Sequence, residues 1–183
     1  MKKEASKLMT EEKFWTVIES SHRGRDLKEC LTPLSEDELF GFRYWWEYFL
    51  NLSYKQDLWA VAYVVLGGCS DDGFDYFRFW LIAQGRKVFY NALENADSLC
   101  DVFAELEDPE DKDYPEQEDL DYVVQEVLDE RTGEEDYYYR EVEKYEMPQH
   151  LREIEFEWEG DDEDSIRKVC PRTFDQWWEN DVF

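Results

Sequence analysis

Thirty of the chain's 47 acidic side chains fall between Glu94 and Ser165, where five basic ones answer them, so this stretch carries a net charge of -25. The residues before it hold 14 Asp and Glu against 12 Lys and Arg, and those after it hold 3 against 3. A chain whose formal charge is -27 normally stays solvated unless its apolar residues are gathered where the charges are not. They are gathered here: Trp15, Trp45, Trp46, Trp59 and Trp80 all precede the acidic stretch. The polypeptide therefore reads as a near-neutral aromatic body followed by an acidic half.

That asymmetry excludes direct binding of nucleic-acid phosphate over the acidic half, and an anionic membrane surface would repel it too. The longest apolar run, Leu58 to Leu66, is nine residues, against roughly 20 for a membrane-spanning helix. No apolar stretch follows the N-terminal lysines in the manner of a secretory signal, so the expected location is the cytoplasm. Cys30, Cys69, Cys100 and Cys170 are widely spaced, with no C-x-x-C pair, which argues for free thiols and against a zinc site.

Helix signals dominate the body. Thr10, ahead of Glu11 and Glu12 and then Phe14, Trp15, Val17 and Ile18, predicts a capped helix ending near Ser20. The stretch SHRGRD that follows, with Gly24 inside it, reads as a loop. Ser35 and Glu38 stand at capping-box spacing before an aromatic helix carrying Phe42, Trp45, Trp46, Phe49 and Leu52. Asp57 to Leu66 is apolar all round. Its three valines leave a buried strand open, whereas Ala60 and Ala62 favour a central helix closed by Gly67-Gly68. Ser70 and Asp71 then cap a helix running to Gln84, Arg86 to Asn95 continues as a short one, and Ser98 to Leu106 forms another.

Residues 107–119 (EDPEDKDYPEQED) read as an acidic linker. Beyond it, Leu120 to Arg131 has helical spacing, and Glu134 to Met147 predicts a surface helix with Tyr138, Val142 and Tyr145 on one side. Leu151 to Gly160 alternates apolar and acidic residues with period two, the pattern of a strand with one wet face or of an exposed extended arm. Asp161 to Asp164 reads as an acidic turn and Phe174 to Trp178 as an aromatic tail folded back on the body. The expected architecture is all-α: a compact bundle of about five helices over 1–106, the linker over 107–119, and an acidic, partly helical extension over 120–183.

The stretch Asp57 to Gly85, DLWAVAYVVLGGCSDDGFDYFRFWLIAQG, has a local order too particular for generic packing. With the upstream helix that begins Phe14-Trp15, it resembles the bacterial domain-of-unknown-function family numbered 4240. That family's pattern is D-L-W-x-A-A-Y-x-x-x-G-G-C-S-D-D-G-F-x-x-F-R-x-W-L-I-x-x-G, and Val61 departs from it where the pattern has alanine. The resemblance covers Glu11 to about Phe103. It implies a fold and a cytosolic bacterial setting, and supplies no reaction.

Within this stretch, Cys69, Ser70, Asp71, Asp72, Asp75 and Arg78 form the candidate functional loop. Asp71, Asp72 and Asp75 have the oxygen chemistry of a divalent-metal site, but a helix N-terminus explains the first two, and Arg78 needs a carboxylate such as Asp75. Cys69 lacks a base, since His22 and His150 are the only histidines and neither has a patterned neighbour. No catalytic residue, metal or cofactor is therefore assigned.

The leading reading is a non-enzymatic module whose acidic half engages a basic protein partner, as an immunity or antitoxin-like inhibitor or a DNA mimic would. Tyr122, Glu126, Tyr138, Glu155 and Trp158 are the candidate contact residues. The alternative is an enzyme, or a small-ligand or metal binder, with its site at the Gly67 to Arg78 loop. A third reading makes the acidic half a solubilising tail.

Overall fold

The computed structural model describes residues 2–106, 114–149 and 153–179, and among them it is helical, with eleven α-helices and one pair of two-residue strands. The upstream helices are α1 (Glu11–Ser20), α2 (Leu27–Leu31), α3 (Glu36–Leu52), α4 (Gln56–Val65), α5 (Asp71–Ala83), α6 (Arg86–Glu94) and α7 (Leu99–Ala104). That is seven where about five were expected. The body also begins with β1 (Lys3–Glu4), outside any expectation.

Capping chemistry sets three of the starts. Thr10 Oγ1 accepts from Lys13 N–H at 3.2 Å, and Ser70 Oγ accepts from Gly73 N–H at 3.1 Å. Ser35 and Glu38 close a full capping box, and the Glu38 carboxyl is held down at about 2, chiefly by Lys13 and then by Ser35. α4 is a helix with seven of its ten residues buried, as its all-round apolar pattern requires. It stops where Gly67 and Gly68 take φ of 65° and 122°, and Gly68 N–H bonds back to Tyr63 O at 2.9 Å. Gly41 has a different role: a Cβ there would lie 2.8 Å from the Met9 backbone, so glycine lets that segment lie directly on α3.

Downstream come α8 (Val123–Thr132), α9 (Tyr137–Val142), β2 (Tyr145–Glu146), α10 (Glu163–Val169) and α11 (Pro171–Trp177). The surface helix expected over 134–147 is shorter than its pattern suggested. It ends at Val142, and Tyr145 and Glu146 instead pair in parallel with Lys3 and Glu4. Lys3 also meets Asp37 at 2.9 Å, and Tyr145 O–H donates to the same carboxylate at 3.0 Å, which fastens this ribbon to the start of α3. The expected strand over 151–160 is not formed in its described part, 153–160, which lies along α4 as an arm. Leu151, Arg152 and His150 lie outside the described residues. Asp162 caps α10 rather than sitting mid-turn, its side chain accepting from Ser165 N–H at 3.2 Å.

Of the expected linker, residues 107–113 lie outside the described part. The remainder lies on the body, with Gln117 N–H bonded to Tyr76 O of α5 at 3.2 Å. α8 packs on α2 and α3, while α10 and α11 pack on α4 and α11 also reaches α7. Val123, Val127, Leu128, Ile166, Phe174 and Trp177 accordingly belong to the same continuous apolar core as Phe14, Phe49 and Trp80.

Candidate functional site

The Gly67 to Arg78 loop is positioned by α4 and α5. Ser70 is spent as the cap of α5, and Asp71 and Asp72 are exposed in its first turn, where carboxylates stabilise the unpaired amides. Arg78, one and a half turns deeper, is 7% exposed. Its Nη1 donates to Leu50 O at 2.7 Å, its Nη2 pairs with Asp75, and its guanidinium lies 5.0 Å from the centroids of both Tyr54 and Phe74. Burial pulls its pKa below the usual arginine value, with Asp75 opposing. Arg78 thus joins α3 to α5 and faces inward. Among the described residues, no group of three or more His, Cys, Asp or Glu is placed to hold a metal ion.

Cys69 is half-buried, and its Sγ meets the Ser70 carbonyl at 3.6 Å. Burial pushes its thiol up to about 12, and the negative charges of Glu116, Asp71 and Asp75 push the same way. The thiol is therefore protonated at neutral pH, the opposite of an activated nucleophile. Alkylation of Cys69 by iodoacetamide at pH 8 is expected to run at least about a hundredfold more slowly than that of an unperturbed thiol, read as peptide modification by mass spectrometry. Rapid alkylation would restore the nucleophile.

The five expected contact residues divide. Tyr122 is exposed, and Glu126 is exposed but paired to Lys28 at 3.1 Å. Tyr138 and Trp158 are corrected: both are buried. Tyr138 stacks on Phe40 at 6.1 Å, and Trp158 packs on Tyr63 at 5.4 Å while its Nε1 donates to Gln56 O at 2.9 Å. They fail as contacts because an apolar ring beside a large core gains more from burial than from solvent. Glu155 stands exposed on the arm.

The acidic half is not electrostatically uniform. Around α8 and α9 many carboxylates already have cations: Glu126 and Glu130 share Lys28, Glu134 and Glu141 share Arg140, and Asp121 holds Arg43 at 2.7 Å. The arm differs. Glu153, Glu155, Glu157, Glu159, Asp161, Asp162, Glu163 and Asp164 are all exposed, and none meets a cation among the described residues. Between them Phe156 is 47% exposed, held at right angles to Trp158 at 5.3 Å and edge-on to Trp59 at 5.2 Å. The arm thus presents unneutralised charge around a rigidly held apolar ring. Its period-two pattern was legible in the sequence; which of its rings would stay outside was not.

No helix among the described residues is long and apolar enough to cross a membrane. Neither a curated protein nor a solved structure matches the chain. A family model described as "Protein of unknown function (DUF4240)" matches residues 9–130, which extends the resemblance seen over Glu11 to Phe103 through the linker and into α8. With more than half of its length matched, the chain belongs to the DUF4240 family.

Proposed function

We propose that this protein is a non-catalytic interaction module that engages a basic protein through the arm 153–164. The observation that carries the reading is the contrast within the acidic half: carboxylates near α8 and α9 are paired internally, whereas the eight on the arm are exposed without cations among the described residues. Eight like charges so close together repel one another, a cost that a positive surface removes on binding. Phe156 supplies an apolar anchor at their centre, the composition of a contact in which charge steers and an aromatic ring holds. A basic protein held by an immunity or antitoxin-like inhibitor, or by a DNA mimic, has the matching chemistry.

The test is capture of the partner by the intact chain, followed by kinetics with the purified pair. Changing Glu153, Glu155, Glu157 and Glu159 together to glutamine should lower affinity at least about tenfold, mainly through a slower association rate, and leave thermal stability unaltered. Raising salt should weaken the native pair in the same way. A partner indifferent to both changes removes the proposal.

A further inference from the structure

In an extended chain the backbone N–H and C=O of alternate residues point to opposite edges. Along the arm the odd-numbered edge is taken by the protein itself. Glu157 N–H donates to Gln56 Oε1 at 3.2 Å and Glu159 N–H to Ser165 Oγ at 3.0 Å, while Glu159 O accepts from Asp162 N–H at 3.0 Å. The even-numbered positions behave differently. Among the described residues, the backbone N–H and C=O groups of Ile154, Phe156 and Trp158 make no hydrogen bond. Their side chains meanwhile hold the arm in place: Trp158 is buried against Tyr63, Phe156 leans on Trp59, and Ile154 lines a cavity of about 330 Å³ with Tyr54 and Gln56.

We infer that this open edge receives an extended segment of the partner, adding a strand beside Ile154, Phe156 and Trp158, and that the incoming segment alternates Lys or Arg with apolar residues. The inference rests on the reading of the arm as a surface for a basic protein and adds how that protein is held. Alternation follows from the pleat. Residues on one face of a strand pair lie opposite one another, so cations on the incoming segment meet Glu155, Glu157 and Glu159, and its apolar residues meet the exposed edge of Phe156. Backbone pairing supplies affinity, and the alternation supplies register.

Two labelled peptides of one composition, an alternating Lys-Val octamer and its block form with four lysines followed by four valines, separate strand addition from charge attraction. At low salt the intact protein should bind the alternating peptide at least about tenfold more tightly. Adding that peptide should slow amide exchange at Phe156 and Trp158 by a similar factor. Ile154→Pro removes one open-edge N–H without changing charge, and should lower affinity for the alternating peptide about tenfold while leaving the block peptide unaffected. Equal affinity for the two peptides, or unprotected amides at Phe156 and Trp158 in the complex, overturns strand addition and leaves the acidic surface standing. Failure of both peptides to bind at low salt overturns both.

Discussion

Arg43→Ala is expected to lower the free energy of unfolding by about 3–5 kcal/mol, the range for removing one partner of a buried ion pair. Arg43 lies on α3 with its side chain 12% exposed. Its Nη1 donates to Asp121 O at 2.8 Å and to Asp121 Oδ1 at 2.7 Å, and its Nη2 pairs with Glu47, whose side chain is 13% exposed. Trp46 Nε1 donates to the same Asp121 oxygen at 3.0 Å. Burial opposes the guanidinium's charge, but Tyr138, Glu47 and Asp121 outweigh it and hold the pKa above the ordinary arginine value. Alanine would leave two carboxylates near each other with little water to screen them, and would leave Asp121 O without this donor. Urea unfolding of the native chain, Arg43→Ala, Asp121→Ala and the double variant gives the pair's coupling directly. A loss below about 1 kcal/mol for Arg43→Ala would mean that the cluster is solvated in the manner of a surface pair. Because Arg43 and Asp121 lie on either side of the acidic linker, a large coupling would also show that the residues beyond it share one cooperative unit with the body.

What the sequence revealed and what it hid divide along the range of the interaction. The caps at Thr10, Ser35 and Ser70 act within three residues, so their chemistry was readable before any coordinates, as was the pairing of Arg78 with Asp75 three positions away. α4 was recognisable because a helix apolar on every side has to be central. α2 escaped notice, since five residues cannot sustain a helix by local propensity and this one rests against α1 and α8. Tyr145 shares a helical spacing with Tyr138 and Val142, yet it pairs with Lys3 across most of the chain, a contact with no local signature. The candidate site followed the same rule. Alternation along 153–159 announced two faces, but which rings would be covered depended on Gln56 and Tyr63 in α4. The pairing of Lys28 with Glu126 and Glu130, which sets the neutralised part of the acidic half apart from the arm, joins residues about a hundred positions apart.

Phe49→Ala is expected to cost about 3–5 kcal/mol, whereas Phe156→Ala should change stability by less than about 1 kcal/mol. Phe49 is fully buried at a crossing of three helices, with ring centroids 5.1 Å from Phe14, 4.6 Å from Trp15 and 5.3 Å from Phe89. Truncation there removes apolar area from a packed interior and leaves a hole whose lining belongs to α1, α3 and α6, none of which can move in without breaking its other contacts. Phe156 has the same side chain and two ring neighbours, but nearly half of it already faces water, so little burial is lost and no cavity forms. The two substitutions therefore separate stability from recognition. Thermal or urea unfolding should be strongly shifted by the first and barely by the second, while affinity for a basic partner should fall at least about tenfold with the second in protein that is still folded. If Phe156→Ala destabilises the fold as much as Phe49→Ala does, the ring is a structural clamp on α4. Its exposure then has no bearing on binding.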